Sequence, residues 1–134
     1  MASAPDSIIQ TRRVLLLEDD QTLTTMIKEF LESHFYKVVA VSNGAEGVRS
    51  LLKDEFDIII CDMVMPKLPG DMFYFAVKKT KPHLCHRFLF ITGYPDNTRI
   101  TDFIKEVNGT MLAKPFEMDE LLEAVTFVRN LGDS

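Results

Sequence analysis

The chain has no tryptophan, only two cysteines and no excess of basic residues. Each shortage excludes something. Fifteen Lys and Arg against twenty Asp and Glu leave a net charge of −5. That excludes unaided binding to a nucleic-acid backbone, because such affinity rests on clustered cations. The two cysteines, Cys61 inside an apolar run and Cys85 in the polar segment KPHLCHR, make no disulfide framework and fit a reducing, cytoplasmic compartment. No apolar stretch approaches the ~20 residues that cross a bilayer. The start, MASAPDSIIQTRR, lacks the apolar run of a secretory signal, so residues 1–12 read as a polar lead-in. What remains is 134 residues, 46% hydrophobic and 26% charged, with 10 Phe. That suffices for one domain with a substantial single core.

Period-two and period-3.6 patterns alternate along the chain. Residues 13–17 (RVLLL) predict a buried strand that ends in Glu18, Asp19 and Asp20. Leu23, Met26, Ile27, Phe30 and Leu31 then recur at helical spacing, with Asp20 as a natural N-cap. Residues 36–41 predict a second strand, and Ser42-Asn43-Gly44 turns the chain into a helix bearing Ala45, Val48, Leu51 and Leu52. The run DIIICDMVMP at 57–66 is apolar enough for a strand buried on both faces, yet it delivers an acid, Asp62. A loop from Pro66 to Gly70 leads to a helix with Met72, Phe73, Ala76 and Val77 inward. Strand four is expected at 87–92, a helix with Ile100, Phe103, Ile104 and Val107 follows, and strand five covers 110–113. The last helix bears Met118, Leu121, Leu122, Val125 and Val128, before a polar tail, LGDS. Methionines 26, 72 and 118 fall on these stripes and read as core packing rather than as ligands.

Strands alternating with helices imply right-handed βα crossovers and a parallel sheet covered on both faces. In such sheets the functional edge is the one at the carboxyl ends of the strands. Strand one ends there in Glu18-Asp19-Asp20, strand three in Asp62, strand four in Thr92 and strand five in Lys114-Pro115. Several carboxylates at one edge repel one another unless a cation is present. An all-oxygen set of two or three carboxylates suits Mg²⁺. With a Lys and a hydroxyl beside it, such a site can neutralise a phosphoryl group, and a carboxylate can itself be the nucleophile. The trio His83, Cys85 and His86 lacks a fourth ligand and a recognisable spacing for zinc, so it reads as an ordinary loop.

The segments LLLEDD at 15–20, CDMVMPKLPG at 61–70, ITG at 91–93 and AKPF at 113–116 together resemble the receiver domains of two-component response regulators. The resemblance runs from about Arg13 to Val128, and the domain it implies spans residues 13–130. It implies a doubly wound, CheY-like sheet of strand order 2-1-3-4-5, with phosphorylation of Asp62 from a kinase phosphohistidine. It further implies Mg²⁺ held by Asp19, Asp62 and the Val64 carbonyl, with Glu18 acting through water and Asp20 as the neighbouring acid. Thr92 would be the switch hydroxyl and Lys114 the phosphoryl partner, with a cis bond to Pro115. The aromatic that many receivers carry three residues before the Lys is here Met111, so the form of the output switch differs. Val64 and Tyr94 flank the path of a hydrolytic water and bear on phosphoryl lifetime.

Two other function classes use related features. A haloacid-dehalogenase-like phosphatase would need an aspartate pair of form D-x-D after strand one, whereas the acids here are contiguous and the lone Asp62 lies on strand three. A phosphorylation-independent adaptor would have no need of acid, Asp, hydroxyl and Lys together. The expected role is therefore a signalling phosphoacceptor, not an enzyme, acting as a monomer or weak homodimer. Its expected partners are a histidine kinase or phosphotransfer protein and a downstream protein met through the fourth helix, fifth strand and fifth helix. Only one helix and a tail follow Lys114, which leaves no space for a DNA-binding output unit within these residues. A free-standing receiver or one excised from a longer regulator or hybrid kinase is expected.

Overall fold

The computed structural model describes residues 11–133, and residues 1–10 of the lead-in lie outside them. Five strands, β1 (Arg12–Leu17), β2 (Tyr36–Val41), β3 (Ile58–Asp62), β4 (Phe88–Thr92) and β5 (Thr110–Ala113), form one sheet in the order β2-β1-β3-β4-β5. All neighbouring pairs are parallel. Five α-helices alternate with the strands: α1 (Gln21–Glu32), α2 (Gly44–Lys53), α3 (Gly70–Thr80), α4 (Thr98–Glu106) and α5 (Met118–Gly132). A 3₁₀ helix, Pro82–Arg87, precedes β4. The expected doubly wound α/β/α architecture is the one observed.

Burial follows the alternation of side chains along each strand. Leu15, Leu17, Ile59, Cys61, Phe88 and Phe90 face one layer, where Leu51 of α2, Phe73 and Tyr74 of α3 and Ile104 of α4 cover them. Val14, Leu16, Ile58, Ile60, Leu89 and Ile91 face the other, covered by Ile27 and Leu31 of α1 and by Leu121, Val125 and Val128 of α5. Every residue of β3 is buried, including Asp62. Fully burying side chains of this size contributes ~1.5–3 kcal/mol each, which is what holds the strand ends in a fixed register.

Several helix-face and boundary expectations need correction. Met26 and Met72 are half-exposed, at 50% and 55%, and Leu52 is exposed at 67%. On α1 the inward line runs through Thr24, Ile27 and Leu31, which leaves Met26 at its edge. On α3, Tyr74 takes the inward position beside Phe73, because its ring packs edge-on against Phe88 at 5.1 Å and Phe103 at 5.6 Å. Met118 does pack partly buried against the core. The segment KPHLCHR contains the 3₁₀ helix Pro82–Arg87 rather than an irregular loop, and Arg87 closes that helix instead of opening β4. The α5 helix runs through Leu131 and Gly132, half of the expected polar tail. No helix among the described residues is long and apolar enough to cross a membrane.

Candidate functional site

Strand register brings the polar ends together. Leu17 sits opposite Cys61 in the β1–β3 pair, so Glu18 and Asp62 leave the sheet at the same level. Asp62 is opposite Ile91 and Thr92 is opposite Ala113, the residue before Lys114. This is the carboxyl edge at the reversal in strand order, where doubly wound sheets bind ligands.

Glu18, Asp62 and Thr92 are almost completely buried, and each is held by specific bonds. The Val64 backbone N–H donates to Asp62 Oδ1 at 2.9 Å. The Lys114 ammonium donates to Asp62 Oδ2 at 2.7 Å. It also lies 2.9 Å from Glu18 Oε1, out of hydrogen-bond alignment, so that buried oxygen has no hydrogen-bond partner. The other Glu18 oxygen, Oε2, accepts the Asp20 N–H at 3.0 Å. One lysine therefore bridges the two buried carboxylates. Burial works against its charge, but the pairs with Asp62 and Glu18 outweigh that and raise its pKa. For Glu18, burial dominates over the stabilising contacts with Asp20 and Lys114 and pushes the carboxyl up to about 7.

Glu18, Asp19 and Asp62 can bring one carboxylate oxygen each within 4.8 Å of one another. Among the described residues this is the only such grouping of three or more His, Cys, Asp or Glu. His83 instead approaches Glu55 at 3.4 Å, and both cysteines are free thiols. Asp20 stands apart from the acidic grouping: its Oδ1 accepts the N–H groups of Thr22 and Leu23 as the N-cap of α1. The donor set is thus three carboxylates, one buried oxygen of which has no hydrogen bond, beside a single ammonium. Hard divalent cations take all-oxygen sets of this kind.

The remaining sequence-predicted residues surround this centre. Thr92 Oγ1 accepts the Tyr94 N–H at 2.9 Å, and the Thr92 carbonyl accepts the Lys114 N–H at 2.8 Å. The Lys114–Pro115 bond is cis. Val64 and Tyr94 are exposed at 52% and 59%, and Met111 is exposed on β5. Two supporting residues carry no mark in the sequence. Thr24 is buried and its hydroxyl donates to the Glu18 carbonyl at 3.3 Å; a polar residue on an amphipathic helix gives no signal of such a bond. Gly70 abuts the backbone of Asp62 and Met63, where an added Cβ would lie 2.9 Å from each. Its place after Pro66 marked only a loop.

The family model described as the response regulator receiver domain matches residues 14–126. The chain is 31% identical over 110 residues to the transcriptional regulatory protein CrdR of Helicobacter pylori, covering 82% of this chain and 51% of that protein. It thus spans about half the length of that curated relative. It is 28% identical to the response regulator receiver protein CpdR of Brucella abortus, covering 85% and 93% of the two chains. The structure of chemotaxis protein CheY4 of Vibrio cholerae superposes with a TM-score of 0.81 at 28% identity, over 89% of this chain and 99% of that one. The buried acid–lysine edge, the strand order and these matches agree: the chain belongs to the response regulator receiver domain family.

Proposed function

We propose that this receiver domain, spanning residues 13–130, is a phosphoacceptor of a two-component relay, with Asp62 as the acceptor. The observation that carries the reading is the buried Asp62 carboxylate pinned by Val64 N–H and Lys114 within reach of Glu18 and Asp19. An Asp62 oxygen attacks the phosphorus of a donor phosphohistidine. The P–O bond forms as the P–N bond breaks, and the imidazole leaves with the bonding electron pair. The product is an acyl phosphate. Lys114 neutralises charge developing on the phosphoryl oxygens, and the buried edge limits competing water. Asp19, Asp62 and the Val64 carbonyl would hold Mg²⁺, with Glu18 acting through water. When bound, such an ion would supply further charge neutralisation at the phosphoryl oxygens.

The phosphoryl group brings roughly −1.5 to −2 of charge. Thr92 answers it by turning its hydroxyl inward, at the expense of the bond it accepts from Tyr94 N–H. A cytoplasmic location, a kinase or phosphotransfer partner and a downstream protein target belong to this same reading, which makes the domain a signalling module rather than an enzyme. The test is phosphoryl acceptance from acetyl phosphate with Mg²⁺, compared with Asp62→Asn. Asp62→Asn should accept nothing at a rate comparable to the parent, and an unchanged rate refutes the assignment.

A further inference from the structure

Two glycines of α2, Gly44 and Gly47, are both buried but meet different neighbours. A Cβ on Gly47 would lie 2.8 Å from Leu17 Cδ2 and 2.8 Å from Phe73 Cε1, both side-chain atoms of the core. A Cβ on Gly44 would lie 2.6 Å from Leu68 Cβ and 2.7 Å from the Leu68 backbone carbonyl oxygen. Neither glycine has a positive φ, so what Gly44 provides is room, not backbone freedom.

Leu68 belongs to the loop that joins β3 to α3. That loop starts immediately after Asp62, and its Val64 N–H holds Asp62 Oδ1. It is tied at both ends: Met63 N–H donates to the Ile91 carbonyl at 2.9 Å and Gly70 N–H to the Met63 carbonyl at 3.2 Å. Between them Lys67 takes a φ of 71°, and Leu68 packs against the core. β2 and β3 are not neighbours in the sheet; β1, which delivers Glu18 and Asp19, lies between them. The Gly44–Leu68 contact therefore ties the start of α2 to the acceptor loop across the strand that supplies the acids.

We infer that Gly44 is a positioning residue for phosphoryl acceptance: the absence of its side chain lets Leu68 seat the loop that orients Asp62 through Val64. This rests on the proposed function and names a residue of α2, outside the acid–lysine centre, on which that function depends. Any side chain at 44 must push a backbone carbonyl away by roughly half an ångström or more, beyond the tolerance of a positioned site. Misplacement of ~1 Å can cost ~10²-fold.

The experiment compares wild type, Gly44→Ala and Gly47→Ala. It measures affinity for beryllofluoride with Mg²⁺ by amide chemical-shift titration, alongside thermal melting. Gly44→Ala should bind at least ~10-fold more weakly. Gly47→Ala, which crowds only core side chains, should melt lower while keeping its affinity within about twofold. Wild-type affinity in Gly44→Ala overturns the inference, as does equal weakening in both variants, which would reduce Gly44 to packing. If Gly44→Ala does not fold, Leu68→Ala decides the matter: severalfold weaker binding supports the seat, and unchanged binding overturns it. Failure of the wild type itself to bind beryllofluoride would instead overturn the functional reading, and this inference with it.

Discussion

At the scale of single residues, the adjacent acids Asp19 and Asp20 divide two tasks. Asp20 gives its carboxylate to the backbone N–H groups that open α1, while Asp19 reaches Glu18 and Asp62. Asp20→Ala should therefore cost about 1 kcal/mol of stability, as loss of an N-cap does, with Mg²⁺ affinity nearly unchanged. Asp19→Asn should weaken Mg²⁺ by ~10-fold or more with little change in melting. Mg²⁺ titration and thermal melts of both variants check this, and an inverted pattern would exchange their roles. Glu18 makes a different prediction. Its folded-state pKa, about 7, lies above the ordinary 4.5 because of burial. Between those values the folded chain holds a proton that the unfolded chain has released, so this group's contribution to stability falls as pH rises from about 4.5 to about 7. In Mg²⁺-free buffer Glu18→Gln should then be more stable than the parent by roughly 1–3 kcal/mol at pH 8. That gain should fade as pH falls and vanish below about 4.5. Denaturant unfolding across this range measures it, and no gain at pH 8 contradicts it. A site residue that destabilises the ion-free fold is what a pocket shaped for a cation should contain.

At the scale of elements, the proposed switch places the movement in the turn after β4. Thr92 Oγ1 holds Tyr94 N–H, so a hydroxyl drawn toward the phosphoryl group frees the loop that leads into α4. Val64 and Tyr94 stand exposed on the loops beside Asp62, and their side chains offer no carboxylate or amide to a hydrolytic water. Val64→Asn with Tyr94→Glu should shorten the acyl-phosphate lifetime, read as the rate of phosphate release after donor removal. An unchanged or slower release contradicts the shielding argument. Much of this was legible in the sequence because strand ends are marked there: an apolar run reaching Asp62, ITG with Thr92 at its centre and TMLA stopping at Lys114. Helix faces were less legible. Met72 and Tyr74 are two residues apart on α3, and which one turns inward depends on Phe88 and Phe103, which are distant in the chain. For the same reason nothing local announced that Thr24 bonds the Glu18 carbonyl or that Gly44 makes room for Leu68.

At the scale of the whole molecule, the two faces of the sheet are separate cores, and the acidic edge lies where loops from both meet. Phosphorylation should be felt most on the surface of α4, β5 and α5, because the Thr92–Tyr94 turn opens into α4 and β5 leads to Lys114. Met111, exposed on β5 opposite Phe90, replaces the aromatic many receivers use there. The change should therefore be modest, in keeping with couplings of ~1–3 kcal/mol. Amide shifts with and without beryllofluoride should cluster around Tyr94 and Met111; shifts confined to α1 would contradict this. The central claim, that Asp62 becomes an acyl phosphate in a Mg²⁺-dependent reaction, has a more direct test. The protein is treated with acetyl phosphate and Mg²⁺, reduced with borohydride, which converts an aspartyl phosphate to homoserine, and mapped by peptide mass spectrometry. The account predicts homoserine at position 62, absent when Mg²⁺ is chelated; conversion at another aspartate, or none at 62, would contradict it.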